Sequence, residues 1–154
     1  MTDDLKLFDY WPYHNRPKIK WPNDAKIAFW VAPNIEFYEL DPPSNPHRKP
    51  WPKYSPDVSG YSIRDYGNRV GHMRQMKLLD KYKIRGSISL SAALCDHHPE
   101  IIKMCHERNW EFFSHGVYNT RYTYGLSEDQ EREMILDAFE TIEKHTGRGP
   151  AGYL

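Results

Sequence analysis

The sequence lacks the charge pattern and the long apolar runs that mark nucleic-acid-binding and membrane proteins. Its 21 lysines and arginines are balanced by 21 aspartates and glutamates, so the formal net charge is zero. Proteins that bind nucleic acids usually carry a basic surface that neutralises phosphates. No apolar run reaches the length of about 20 residues that crosses a bilayer, and no polybasic stretch is present to bind an anionic membrane surface. We therefore expect no nucleic acid and no membrane among the partners.

Cysteine is also scarce. The two cysteines, Cys95 and Cys105, are too few for a disulfide framework and do not form the C-x-x-C pair of a zinc knuckle. We expect both to be buried, unreactive thiols in a reducing compartment. The acidic N-terminus, residues 1–4, has no apolar signal-peptide segment. These features predict a cytoplasmic protein.

Prolines are abundant but unevenly distributed, and they divide the chain. Trp11-Pro12 and Trp21-Pro22 favour extended geometry and oppose helix near the N-terminus. We predict an irregular N-terminal arm over residues 1–24 and one folded region over residues 25–154. Six further prolines predict a long loop over residues 40–62. Such a loop is either a functional lid or a surface excursion without a role.

Strand-like and helix-like apolar patterns alternate along the folded region. Nearly continuous or aromatic-rich apolar runs predict strands at residues 25–32, 87–90 and 110–113. Helical spacing of apolar residues predicts helices at residues 70–82, 99–109 and 127–146, with a short element at 92–95. This alternation is typical of an α/β fold with a parallel sheet. The last residues, 148–154, resemble the start of a fourth strand, so the fold looks incomplete.

The last helix has the clearest boundaries. Ser127 stands three residues before Gln130, the spacing of a capping box in which each side chain binds the other residue's backbone N–H. Gly147 follows the last helical turn, where glycine commonly ends a helix. The sequence therefore predicts a helix that begins after Ser127 and ends before Gly147.

Three polar residues occupy comparable positions relative to the predicted strands. Glu36 follows the first strand, His115 follows the third, and Arg148 precedes the start of the fourth. In parallel sheets and barrels, functional sites form at the carboxyl ends of the strands. A carboxylate there can act as a general base, an imidazole can bind substrate, hold a metal or transfer a proton, and an arginine can orient the carboxylate. We take these three residues as candidate catalytic residues.

An ordered set of motifs carries a family resemblance. The motifs are Asn34-Ile35-Glu36, Arg64-Asp65-Tyr66-Gly67-Asn68-Arg69-Val70-Gly71, Ser114-His115-Gly116 and Arg148-Gly149-Pro150-Ala151-Gly152. In order and spacing they resemble the polysaccharide deacetylase superfamily, the NodB-homology group of carbohydrate esterases. The similarity is greatest to its allantoinase-like and cyclic-imide-hydrolase-like branch. The resemblance implies a distorted (β/α) barrel, of which this chain is the N-terminal half, a partial (β/α) barrel with parallel strands and alternating helices.

The resemblance also implies a function, namely a hydrolase that acts on non-peptide carbon–nitrogen bonds. Its substrate would be a small-molecule amide, a cyclic ureide or an acetylated sugar. Glu36 would activate water, His115 would bind the substrate or the developing oxyanion, and Arg148 would orient Glu36. Substrate binding would fall to a second group of polar residues, Asn34, Arg69 and Asn119.

The resemblance is incomplete at the residues that hold metal in typical members. Those members carry two adjacent aspartates after the first strand and two histidines, four residues apart, after the third. This chain has Glu36 and Phe37 at the first pair of positions, and His115 and Asn119 at the second. Phenylalanine cannot ligate a metal, and asparagine is a weak ligand for transition metals. No cofactor is implied with certainty, and two alternatives stay open: a divalent metal such as zinc held through His115, or a metal-free site.

A second hypothesis belongs to a different functional class. The missing second half of the barrel and the lost ligands are also typical of a catalytically inactive remnant that serves as a binding or oligomerising module. A half barrel exposes unpaired strand edges and apolar surface, which favours a homo-oligomer.

Overall fold

Three parallel strands organise the part of the chain that the computed structural model describes, residues 11–43 and 55–154. The strands are β1 (Asn34–Ile35), β2 (Ser87–Leu90) and β3 (Glu111–Ser114), in the spatial order β1-β2-β3. The paired residues are Asn34 with Ser89, Ile35 with Leu90, Ser87 with Glu111, Ile88 with Phe112, Ser89 with Phe113 and Leu90 with Ser114. The predicted α/β fold, a partial barrel of parallel strands, is confirmed.

Helices connect the strands and cover one face of the sheet. They are α1 (Val58–Tyr66), α2 (His72–Tyr82), α3 (Leu94–His97), α4 (Pro99–Glu107) and α5 (Glu128–Thr146), and a π-helical turn (Gly67–Gly71) joins α1 to α2. Alternate strand residues point toward these helices because side chains alternate across a strand. The resulting core includes Ile35, Ile88, Leu90, Phe112, Ile101 and Ile142. The opposite face of the sheet carries Asn34, Ser87, Ser89 and Glu111 together with one aromatic residue, Phe113.

The last helix has the ends that the sequence predicts. The Ser127 side chain accepts a hydrogen bond from the Gln130 backbone N–H, and the Gln130 side chain accepts one from the Ser127 backbone N–H. Gly147 ends α5 in the left-handed conformation, with φ of 71°. Beyond it, Tyr153 forms a parallel bridge with Ser114 of β3. The start of a fourth strand therefore lies where the sequence indicates it.

The first strand is displaced from its predicted position at residues 25–32. Ile27 and Phe29 are 79% and 76% exposed, so that segment is not the buried strand that its apolar run predicts. Pairing with the central strand begins only at Val31, which bridges Gly86, and continues in β1 beyond Pro33. Proline has no N–H to donate, and it interrupts the ladder at that point. The expectation that Glu36 follows the first strand directly is nevertheless met, because β1 ends at Ile35.

The predicted loop over residues 40–62 is too long. Residues 58–66 form α1, whose N-cap Asp57 accepts a hydrogen bond from the backbone N–H of Gly60. The sequence prediction missed this helix because its apolar positions are few and its first turn contains Ser59 and Gly60, both weak helix formers. Pro46, Pro50 and Pro52 of the predicted loop lie outside the described residues.

The N-terminal arm is described only from residue 11 onward; its first 10 residues lie outside the described part. Over residues 11–24 it forms two short 3-10 turns, Tyr13–Asn15 and Pro22–Asp24, with no buried residue in either turn. Its boundary with the folded region at residue 25 stays a prediction. Over residues 11–43 and 55–154, no helix is both long enough and apolar enough to span a membrane.

Both cysteines are buried, as the sequence predicts. Cys95 and Cys105 are free thiols with no exposed surface. Burial raises the pKa of each thiol to about 12, because the low-polarity interior disfavours the thiolate. Thiols that stay protonated at neutral pH are poor nucleophiles and poor metal ligands.

Candidate active site at the carboxyl end of the sheet

Glu36 and His115 meet at the carboxyl edge of the sheet, although 79 positions of sequence separate them. Each residue directly follows its strand, and the two strands flank β2. The Nε2 atom of His115 lies 3.4 Å from Oε1 of Glu36. Their side chains are 19% and 22% exposed, so both can reach a small molecule at this edge. The structure thus brings together two of the three candidate catalytic residues.

Three side chains donate hydrogen bonds to the Glu36 carboxylate. The Asn34 amide donates to Oε1 over 3.1 Å. On the other oxygen, Oε2, the Tyr38 hydroxyl donates over 2.9 Å and the Asn119 amide over 2.5 Å. Asn119 also donates to the Tyr38 hydroxyl. A carboxylate held from both sides in this way has one fixed orientation, which is what a positioned acid–base group needs.

Tyr38 stays a neutral donor at physiological pH. Burial raises the pKa of its phenol above the ordinary 10.0, and the neighbouring Glu36 carboxylate raises it further, while Arg64 acts in the opposite direction. The Arg64 guanidinium lies 4.2 Å from the centre of the Tyr38 ring. Because the net change is upward, the phenol keeps its proton and donates a hydrogen bond to Glu36.

The π-helical turn between α1 and α2 supports the backbone at Glu36. Within it, the buried Asn68 donates a hydrogen bond of 3.0 Å from its side chain to the backbone oxygen of Glu36. Single π-helical turns occur often at functional sites because they redirect one side chain out of the regular helical pattern. Here the redirected side chain joins the second of the four sequence motifs to the first.

A second set of contacts ties the loop after β1 to the loop after β3. Glu39 accepts hydrogen bonds from the Thr120 hydroxyl over 2.6 Å and from the Arg121 guanidinium over 2.7 Å. The backbone N–H of Asn119 donates to the carbonyl of Phe37 over 2.9 Å. Burial raises the pKa of Glu39, but its bonds to Arg121 and Thr120 outweigh that effect, and the net pKa is below the ordinary 4.5. These contacts hold Asn119 where it can reach Glu36.

The residues at this edge do not fit a three-ligand zinc site. Phe37 is 8% exposed and stacks on the His97 ring with a centroid distance of 4.1 Å, so an apolar contact occupies that position. Asn119 presents its NH₂ group, not its oxygen, to Glu36 and Tyr38. Among residues 11–43 and 55–154, no group of three or more histidine, cysteine, aspartate or glutamate side chains is placed to hold a metal ion. Glu36 and His115 alone supply two of the three protein ligands of a catalytic zinc site, and the third position carries Asn119, whose amide oxygen is a weak zinc ligand.

Arg148 does not join Glu36 in the structure. It is exposed and lines a cavity of about 200 Å³ together with Trp110, Glu111 and Ala151, at the amino end of β3. Glu36 lies level with the carboxyl end of that strand, and the donors on its carboxylate are asparagine and tyrosine side chains. A residue that follows a helix and precedes a parallel strand lies at the amino edge of the sheet. Arg148 precedes a strand and Glu36 follows one, so the two residues lie at opposite edges.

The three residues expected to bind substrate are placed differently from one another. Asn34 and Asn119 both lie at the carboxyl edge, but each donates its amide to Glu36. Arg69 is also exposed, and its guanidinium pairs with Asp65 of α1. Substrate binding by these three residues stays a prediction.

Two residues that the sequence prediction missed belong to this site: Tyr38 and Asn68. Tyr38 could have been found, because Asn34, Glu36 and Tyr38 are spaced by two, the period at which extended residues share a face. Asn68 gave no such signal, because its contact with Glu36 depends on the π-helical turn.

Comparisons with known proteins agree with this architecture. The family model for polysaccharide deacetylase matches residues 61–154, more than half of the chain. A probable polysaccharide deacetylase from Pseudomonas aeruginosa PAO1 is 27% identical, with a TM-score of 0.74. Puue allantoinase is 25% identical, with a TM-score of 0.70. A CE4 family pseudoenzyme from Bacillus anthracis, 22% identical with a TM-score of 0.51 over 56% of this chain and 30% of its own, shares the fold.

The chain spans about half the length of the solved structures that it matches. The alignments cover 99% and 95% of this chain but 53% of the Pseudomonas protein and 53% of the allantoinase. A comparison with curated protein sequences gives no significant match.

Proposed function

Because this chain belongs to the polysaccharide deacetylase family, we propose that it hydrolyses non-peptide carbon–nitrogen bonds, with Glu36 as the general base. The observation that carries the proposal is the oriented Glu36 carboxylate beside His115 at the carboxyl edge of the sheet. The substrate is a small amide, a cyclic ureide or an acetylated sugar. The cyclic ureide is supported by the similarity to an allantoinase over 95% of this chain.

The chemistry follows from the positions of two groups. A water molecule held by Oε1 of Glu36 loses a proton to the carboxylate as its oxygen attacks the substrate carbonyl. Negative charge then develops on the carbonyl oxygen, and the Nε2–H group of His115 donates to that oxygen and stabilises it. The proton on Glu36 returns to the leaving nitrogen when the carbon–nitrogen bond breaks. Tyr38 and Asn119 keep the carboxylate in the orientation that this transfer needs.

The chain's own residues complete this sequence without a metal ion. Of the three positions to which the resemblance assigns metal ligands, one carries His115 and the other two carry Phe37 and Asn119, so the arrangement at this edge does not supply three ligands. In the proposed mechanism, Glu36 is the one charged group that acts on the attacking water.

A hydrolysis assay with the Glu36→Gln variant tests the proposal. The panel contains a five-membered cyclic ureide, a linear amide and an N-acetylated sugar. Glutamine keeps the size of the side chain but cannot accept a proton, and removal of a general base typically lowers the rate about 10²–10⁴-fold. Exposed Glu133 on α5 provides the matched control, Glu133→Gln, which should keep the wild-type rate.

Equal rates for wild type and Glu36→Gln on every hydrolysed substrate would show that Glu36 is not the base. The inactive-module hypothesis is motivated by the coverage, since the chain spans 53% of the Pseudomonas protein and 53% of the allantoinase. It predicts no turnover by wild type, together with calorimetric binding of one panel compound that is equal in wild type and Glu36→Gln.

A further inference from the structure

Ser91, the residue after the central strand, lies at the same level of the sheet as Glu36 and His115. Asn34 pairs with Ser89, and Ser89 pairs with Phe113. Glu36, Ser91 and His115 each lie two residues beyond these paired residues, so they follow the three strands at the same level and on the same face. Backbone bonds carry the ladder to this level: the Ser91 N–H donates to Ile35 O over 3.0 Å, and the His115 N–H donates to Leu90 O over 2.8 Å. Ser91 is therefore the residue between the two candidate catalytic groups.

Ser91 lies between the chain segments that carry Glu36 and His115, and it is fully buried. Neighbouring strands lie about 4.8 Å apart, so the two outer strands are separated by about 10 Å. The carboxylate and the imidazole nevertheless approach to 3.4 Å. Their side chains must therefore lean toward each other across the central strand, and Ser91, beneath them, is 0% exposed.

Two buried polar atoms at this level have no hydrogen-bond partner within the described ranges: Oγ of Ser91 and Nδ1 of His115. Buried polar atoms are nearly always paired in native proteins, so two orphans on neighbouring positions call for a common explanation. The other imidazole nitrogen, Nε2, faces a carboxylate oxygen that can only accept, which favours the proton on Nε2. Nδ1 is then an acceptor without a donor, and the serine hydroxyl is a donor without an acceptor.

We propose that Ser91 is a positioning residue whose hydroxyl donates to Nδ1 of His115, directly or through one buried water. This bond makes Nδ1 the acceptor, so the ring proton lies on Nε2 and points at Glu36. A hydrogen bond on one nitrogen of a histidine determines the role of the other nitrogen. The catalytic role of this bond rests on the proposed function, because Nε2–H is the group that would donate to the developing oxyanion. The existence of the bond does not depend on the proposed function.

The tautomer of His115 in the ¹⁵N-labelled chain tests the proposal. A two-bond ¹H–¹⁵N correlation spectrum at neutral pH distinguishes the Nε2–H form, the Nδ1–H form and the imidazolium. We expect the Nε2–H form in wild type and a marked rise of the Nδ1–H form in Ser91→Ala. The matched control is Ser89→Ala. Ser89 lies two residues before Ser91 on the same face, and its hydroxyl is equally buried and unpartnered, but it pairs with Phe113, so the His115 signals should stay unchanged.

Two results would overturn the proposal. One is a wild-type His115 in the Nδ1–H or the imidazolium form. The other is an unchanged imidazole spectrum in a folded Ser91→Ala variant. If Ser91→Ala does not fold, Ser91→Cys, which keeps the volume and a weak donor, should give an intermediate Nδ1 shift, and no change there would likewise contradict the proposal.

Enzyme kinetics separate this proposal from the proposed function. Where wild type turns over a substrate, Ser91→Ala should lower kcat about 10-fold with little change in KM, because the bond acts on a group used in the transition state. If wild type has no turnover on any substrate, the proposed function fails, and the tautomer measurement still decides whether Ser91 binds His115.

Discussion

At the scale of single residues, the site is built from amides and a phenol around one carboxylate. Asn34, Tyr38 and Asn119 donate to Glu36, and Asn68 holds its backbone oxygen. Where typical members place metal ligands, Phe37 packs on His97 and Asn119 donates its amide. Each of these side chains is committed to an interaction within the chain, which favours a rigid acid–base site over a metal centre.

The pKa of Glu39 predicts a pH-dependent stability. Its folded-state pKa is below the ordinary value of 4.5, so the ionised form contributes stability that is fully present above that value and is lost as the pH falls through the folded-state pKa. We expect Glu39→Gln to be less stable than wild type at pH 7, with a difference that shrinks below about pH 4.5. Urea denaturation midpoints at a series of pH values measure this.

Glu133→Gln serves as the control for that series, since Glu133 is exposed on α5. Its midpoint should stay near the wild-type midpoint at every pH. A Glu39→Gln difference that is constant or grows as the pH falls would contradict the assignment of the Arg121 and Thr120 bonds as the stabilising contacts.

At the scale of elements, helix ends and one irregular turn position the site. The capping box of α5 starts a helix whose Ala138 and Ile142 are fully buried against the core. The π-helical turn brings Asn68 to the backbone of Glu36, while α1 and α2 on either side continue nearly without interruption. The regular helices therefore supply rigidity, and the π-helical turn supplies the contact between Asn68 and Glu36.

The N-cap of α5 predicts a stability effect that is separate from the site. Ser127→Ala removes the hydroxyl that accepts from the Gln130 N–H, and loss of an N-cap side chain costs about 0.5–2 kcal/mol. Thermal or urea unfolding should show this loss. Ser62→Ala is the matched control: Ser62 is exposed within α1, where alanine has the higher helix propensity, so its stability should be unchanged or slightly raised. Equal effects of the two variants would rule out a capping role.

At the scale of the whole molecule, the sheet leaves apolar residues exposed on its β1 side. Ile27, Phe29 and Trp30 are 79%, 76% and 66% exposed within four residues of sequence. Trp30 packs against Phe113 of β3, with ring centroids 6.0 Å apart, so this segment lies along the sheet face opposite the helices. Contiguous exposed apolar residues near the outer strand of a sheet favour association with another surface.

We therefore expect the 154-residue chain to self-associate in a concentration-dependent manner. Sedimentation velocity over a range of concentrations measures this. Phe29→Lys should shift the distribution toward the monomer, because it places a charge in the contact. Leu78→Lys, at a 54% exposed position on α2, should leave the distribution unchanged. A wild-type chain that stays monomeric at every concentration would contradict the prediction.

Periodicity and chain order alone determined the α/β class, the parallel sheet, the ends of α5 and the burial of both cysteines, because each depends on local pattern or composition. They also placed Glu36 and His115 at one edge, since residues that follow parallel strands share an edge. The position of β1 and the presence of α1 were missed, because Pro33 and the few apolar residues of α1 make the local signals misleading.

Only the tertiary structure decided which side chains touch. It separated Arg148 from Glu36, because a residue that precedes a strand lies at the opposite edge from one that follows a strand. It added Tyr38 and Asn68, whose contacts with Glu36 depend on the path of the chain after β1 and on one π-helical turn. Sequence patterns determine which face and edge a residue occupies, whereas distances of 3 to 4 Å between distant residues depend on packing of the whole chain.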